Sequence, residues 1–175
     1  MINLNDIEKQ IKWNEYYQPD FAWNIFTTYK NKVYSDEFIE EFKDKINWLY
    51  LITYQKFDEQ KLRQYIDPYF FRYRSIWSAL SIHQTLSETF IDEFKDKLSW
   101  LDICCYQKLS EPFIKTHADY VDWTEISIHQ ILSESFIEEF QDKVDWYYID
   151  MYQKFSDSFF NKFKEKINEF AKISK

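Results

Sequence analysis

Apolar residues along this chain follow a double rhythm. Within short stretches they fall three or four apart, as on one face of a helix, and the whole phrase returns every 23 residues. Trp77, Trp100, Trp123 and Trp146 mark that period. After Trp77 come Leu80, Gln84, Leu86, Phe90, Ile91, Phe94 and Leu98; after Trp123 the same offsets hold Ile126, Gln130, Leu132, Phe136, Ile137, Phe140 and Val144. The copy led by Trp100 matches through Ile103, Gln107, Leu109, Phe113 and Ile114, then departs at His117 and Tyr120. The copy led by Trp146 fades after Phe163, with Glu169 in the Trp place. Upstream spacings are stretched, to 29 residues between Trp48 and Trp77 and 25 between Trp23 and Trp48.

Each copy predicts two short helices of eight or nine residues. Asn47, Ser99, Asp122 and Asp145 precede a Trp and offer the side-chain oxygen that a helix N-terminus needs. Ser87, Ser110 and Ser133 do the same for the second helix, and the Glu after each suits the positive end of the helix. Helices this short do not persist alone in water, so copy must stack on copy. The expected fold is all-α: right-angled short helix pairs stacked as an α-solenoid of about 23-residue repeats. Residues 1–22 read as an N-terminal cap, 23–168 as the array with an irregular insert near 64–76, and 169–175 as a C-terminal tail.

The quoted phrase, Trp-x-x-Ile, then Gln-x-Leu-Ser-Glu-x-Phe-Ile, then Asp-Lys-Val-Asp-Trp, resembles short helical repeats in proteins of large DNA viruses and tailed phages. The resemblance spans about residues 23–168 and implies no catalytic or ligand residues. It implies a viral setting, in which the target would be a host protein.

Composition removes several function classes. The chain has no glycine, so no phosphate-cradling glycine loop of the P-loop or Rossmann kind exists. No apolar run of membrane-spanning length occurs, and the N-terminal Met-Ile-Asn-Leu-Asn-Asp lacks the pattern of a signal peptide. Adjacent Cys104 and Cys105 make no ordinary staple with each other, which suits a reduced, cytoplasmic setting. No cofactor is expected.

Candidate chemistry is sparse. His83 and His129 share a column with Tyr54, Tyr106 and Tyr152, two repeats apart and too distant for a shared metal, and His117 takes a Phe place and reads as a packing residue; no metal or catalytic role is expected of the three. Cys104 and Cys105 fall inside a first helix with no evident co-ligands, so no metal site is expected. Gln55, Gln84, Gln107, Gln130 and Gln153 form a polar column that must find loop partners, or neighbouring glutamines, or else face a ligand. Asp44, Asp96, Asp119 and Asp142, each four before a Trp, read as loop-closing residues. No catalytic residue is assigned, and the chain is not expected to be an enzyme.

Three features point to partner binding. The insert carries Tyr69, Phe70, Phe71, Arg72 and Arg74, residue types enriched at binding hot spots and able to stack on single-stranded bases. Acidic charge concentrates in the copies led by Trp77, Trp100 and Trp123, at −2, −2 and −5, with Glu125, Glu134, Glu138 and Glu139 in the last. The first two places after each Trp vary freely on a constant frame, among them Asp102, Glu125, Tyr147 and Tyr148, and are where recognition can be written. The expected role is a non-enzymatic protein-binding module that meets a basic, nucleic-acid-binding surface, such as that of a host CRISPR or other defence nuclease, and acts as its inhibitor. Alternatives are nucleic-acid binding through the arginine–aromatic insert and a purely structural scaffold. A net charge of −8 speaks against direct nucleic-acid contact.

Overall fold

The computed structural model describes residues 33–44, 46–66 and 74–171. These contain eleven α-helices and no strand. Two compact units share them, Met1–Thr85 and Leu86–Lys175.

In the first unit, α1 (Asp36–Phe42) and α2 (Trp48–Tyr54) are followed by α3 (Glu59–Tyr65) and α4 (Arg74–His83), and α2 packs on α4. The second unit contains α5 (Glu88–Glu93), α6 (Trp100–Tyr106), α7 (Glu111–Thr116), α8 (Trp123–His129), α9 (Glu134–Glu139), α10 (Trp146–Tyr152) and α11 (Asp157–Ala171). Here α6 packs on α8, α8 on α10, and α10 on α11. The Trp-led helices thus stack on one another in each unit.

The caps lie where the side chains place them. Asn47, Ser99, Asp122 and Asp145 each accept a backbone N–H two or three residues on, at the head of a Trp-led helix. Ser87, Ser110 and Ser133 cap the second helices in the same way. Ser35 and Asp58 also cap second helices, and Ser156 accepts from the Phe159 N–H at 3.2 Å. Ser35 stands 13 residues before Trp48, the ordinary spacing, so the two additional residues of that copy lie upstream of Ser35.

The helices are shorter than expected, seven residues from most Trp and six after Ser87, Ser110 and Ser133. In the second unit α5, α7 and α9 stop at a residue outside helical geometry: Phe94, His117 and Phe140 have φ near −110° and ψ near 25°. The chain then turns through backbone bonds such as Val144 N to Phe140 O at 3.0 Å. α11 bends at Phe163 in the same geometry yet continues to Ala171, past the expected array end at 168. The long copy also departs. Ile76 has no capping oxygen to offer Trp77, and α4 instead begins upstream at Arg74, giving ten residues. Residues 67–73 of the insert, and the whole proposed cap 1–22, lie outside the described residues.

The core repeats as the chain does. Leu80, Ile103, Ile126 and Ile149, three after each Trp, are fully buried, as are Phe90, Ile91, Ile114 and Ile137 in the second helices. Burying each such side chain contributes roughly 2–3 kcal/mol, which helices this short need from their neighbours. The tryptophans seal the inter-helix turns. The indole N–H of Trp48, Trp100, Trp123 and Trp146 donates to the carbonyl five residues back, at 2.9 to 3.1 Å.

Candidate functional site

Surface recognition and internal framework compete for the same polar residues, so the framework must be subtracted first. The glutamine column belongs to it. Gln130 Oε1 accepts from Leu109 N at 3.0 Å, while its Nε2 donates to Cys104 O at 2.8 Å and Gln107 O at 2.9 Å. Gln153 repeats this one copy later, on Leu132 N, Ser127 O and Gln130 O. In the first unit Gln55 pairs with both backbone groups of Tyr34, and Gln84 with Phe57 N, Ile52 O and Gln55 O. Gln84, Gln130 and Gln153 each satisfy three backbone groups of the preceding copy, so the column is a fastener between copies.

A second fastener was not legible from the repeat. The Glu after each second-helix Ser accepts from the Ser N–H of the next copy: Glu88 from Ser110, Glu111 from Ser133, Glu134 from Ser156. This is a capping box split across two copies. It gives Glu134 a partner within the chain. Glu138 pairs with Lys162, and Glu139 with Lys115. Three of the four carboxylates named in the expected acidic patch therefore have partners within the chain. The loop-closing role expected for Asp119 and Asp142 does not hold. They are 98% and 89% exposed, face solvent beside Lys143 and Lys166, and the turn is closed by backbone bonds.

His117 is a packing residue, with an added polar tie. Its ring stacks on Phe113 at 4.1 Å and on Trp100 at 5.4 Å, where sibling copies place Phe140 against Trp123 and Phe163 against Trp146. Tyr120 covers Trp100 at 5.1 Å where sibling copies lay Lys143 and Lys166 over their tryptophans. The His117 ring nitrogens face Phe113 O and Asp92 Oδ1, each at 3.0 Å. That contact, with Lys95 second, holds the Asp92 carboxyl below its ordinary range.

What remains for recognition is the outer arc of the Trp-led helices. Counting from Trp100 and Trp123, places 3, 4 and 7 are buried, and places 1, 2, 5 and 6 lie on the opposite, half-buried or exposed arc. Asp102 and Glu125 sit half-buried there on α6 and α8, and Tyr147 and Tyr148 on α10 with rings 5.1 Å apart. Leu101, in the variable stripe expected for contact, is 53% exposed, and sequence reasoning passed over other exposed apolar side chains: Tyr106 at 60%, Met151 at 52%, Tyr152 at 53% and, just past the α8 C-terminus, Ile131 at 96%. Copy comparison contains a signal for the last. Its column otherwise holds Lys56, Thr85, Lys108 and Lys154. Of the insert residues, Arg74 is exposed at the start of α4, while Tyr69, Phe70, Phe71 and Arg72 lie outside the described residues.

The same arc brings together three groups that the sequence keeps apart. Cys105 on α6 donates its thiol proton to Glu125 Oε2 on α8 at 3.1 Å, and His129 Nε2 lies 3.2 Å from the same oxygen. The three donor atoms lie within 4.8 Å of one another. The expectation that Cys105 has no co-ligands within reach therefore fails, because stacking supplies them from the next copy. Cys104, by contrast, is fully buried packing, as expected. Both thiols are free, and burial pushes them up, Cys104 to about 11 and Cys105, also facing Glu125, to about 12. Among the described residues no helix is long and apolar enough to cross a membrane. No family model, curated protein or solved structure matches this chain, so its own repeats carry every comparison.

Proposed function

We propose that this chain is a non-enzymatic protein-binding module, built of right-angled helix pairs stacked as an α-solenoid, that meets its partner with the outer arc of its Trp-led helices. The observation that carries this is the division of labour between columns. Gln, Glu and Ile columns bond copy to copy and hardly vary. The outer columns vary freely and expose large apolar groups, Leu101, Tyr106, Ile131 and Tyr152 among them. Exposed aromatic and aliphatic side chains beside carboxylates form the composition of a protein-docking surface. Asp102, Glu125, Tyr147 and Tyr148 belong to the same surface.

The partner this reading favours has a basic surface, since the copy led by Trp123 carries −5. In the viral setting that the repeat phrase suggests, a host defence nuclease inhibited by occlusion of its nucleic-acid groove is the concrete version, and the host cytoplasm is the place.

The test is affinity capture from the native host with and without nuclease, repeated with two sets of substitutions. Tyr106→Ala with Ile131→Ser and Tyr152→Ala should lose a stoichiometric, nuclease-resistant protein partner. Glu138→Lys with Glu139→Lys should weaken it less, since those carboxylates already face lysines. Retention by the first set, or capture of nucleic acid in place of protein, sinks the proposal.

A further inference from the structure

The geometry points to a zinc site formed by Cys105, Glu125 and His129, with its fourth position open to water. A thiolate, an imidazole and a carboxylate are the donors Zn2+ takes, and three protein ligands plus one open position is a recurring arrangement for it. Tetrahedral bonds of about 2.0–2.3 Å place such donor atoms about 3.5 Å apart. Sγ to Oε2 is 3.1 Å, Oε2 to Nε2 is 3.2 Å, and no pair of donor atoms exceeds 4.8 Å. Side-chain rotations alone close that difference.

The scaffold suits the task. Glu125 and His129 are four apart on α8 and so share one helix face, and Cys105 comes from α6, which packs on α8. Gln130, the neighbour of His129, bonds to Cys104 O beside Cys105 and so pins the two strands of ligands in register. Exposure is graded, with His129 at 43% and Glu125 at 23%, which leaves a path for the ion and a face for water.

Repeat comparison separates this trio from chance decoration. In the column of Cys105 other copies hold Thr53, Ile82, Ile128 and Met151; in that of Glu125 they hold Tyr50, Ala79, Asp102 and Tyr148; in that of His129 they hold Tyr54, His83, Tyr106 and Tyr152. Among the described residues only the α6–α8 joint combines all three donors; the next joint has Ile128, Tyr148 and Tyr152 at the equivalent places. On binding, the thiol proton that Cys105 donates to Glu125 leaves to solvent, and thiolate, carboxylate and neutral imidazole coordinate the ion.

The test uses tag-free, chelator-treated full-length protein and Zn2+ or Co2+ alone. We expect one equivalent of Zn2+ per chain in competition with a chromophoric chelator, and Co2+ should develop a thiolate charge-transfer band. Cys105→Ser, Glu125→Gln and His129→Ala should each weaken zinc at least about tenfold, with helicity unchanged by circular dichroism. His83→Ala, in the same column but off the site, should leave affinity unchanged. Absence of stoichiometric zinc, indifference to the three substitutions, or a cobalt spectrum without the thiolate band would each overturn the assignment.

Discussion

Two successive joints in the second unit, α6 on α8 and α8 on α10, share one backbone solution and differ on the surface. Both are fastened by a Gln that satisfies three backbone groups, and both by a Glu that reaches the next Ser N–H. Both bury an Ile from each Trp-led helix completely. Yet at the outer arc one joint gathers Cys105, Glu125 and His129, while the other presents Ile128 with the stacked pair Tyr148 and Tyr152. Residues held constant by the repeat are those that bond one copy to the next. Chemistry is found where a copy departs from its siblings without touching those bonds.

Substitutions can break this contrast. Ile126→Ala removes a fully buried side chain at the centre of both joints and should cost about 3–4 kcal/mol in chemical denaturation. Its near neighbour Ile131, 96% exposed, should change stability by less than about 0.5 kcal/mol when replaced by Ser. Similar losses at the two sites would refute the division between frame and surface.

Gln130→Ala leaves Leu109 N, Cys104 O and Gln107 O without their partner and should cost about 3 kcal/mol. Gln153→Ala should cost less, because Gln153 is half-buried where Gln130 is buried, and water can reach the groups it releases. Equal costs would mean that burial does not set the value of the fastener. Ser133→Ala, which removes the cap of α9 together with a hydroxyl bonded to Glu111, should cost about 1 kcal/mol.

The smallest effect sharpens the other departure, at His117. Asp92 has a carboxyl lowered from its ordinary value of 3.8, first by the hydrogen bond with His117 and then by Lys95. A depressed carboxyl contributes stability that is present above its unfolded value and is lost as pH falls through its folded value. His117→Phe restores the sibling residue and removes that bond. The stability-versus-pH curve should therefore flatten below about pH 4, while the aromatic stack on Trp100 persists. An unchanged acid limb would show that Lys95 alone holds Asp92.

Much of the fold was legible because it is local and periodic. Ser and Asp before Glu or Trp announce a cap, and apolar places three and four apart announce the buried face, whatever the partner. The glutamine column was legible in outline, since a buried amide must find backbone partners. Helix length was less so. The stop at Phe94, His117 and Phe140 depends on backbone angles that aromatic side chains do not signal.

The sequence by itself determined the period, the caps, the inward columns and the all-helical class, because each follows from contacts within a few residues repeated many times. Only the tertiary structure decided which columns of adjacent copies meet. That register set Glu111 against Ser133, drew Glu138 and Glu139 onto lysines, and brought Cys105 to Glu125 and His129. The physical reason is that a 23-residue period specifies that copies stack, whereas the rise and rotation between stacked helices specify which side chains touch. Those two quantities are set by the packing of Ile126 and its neighbours, not by the spacing of tryptophans.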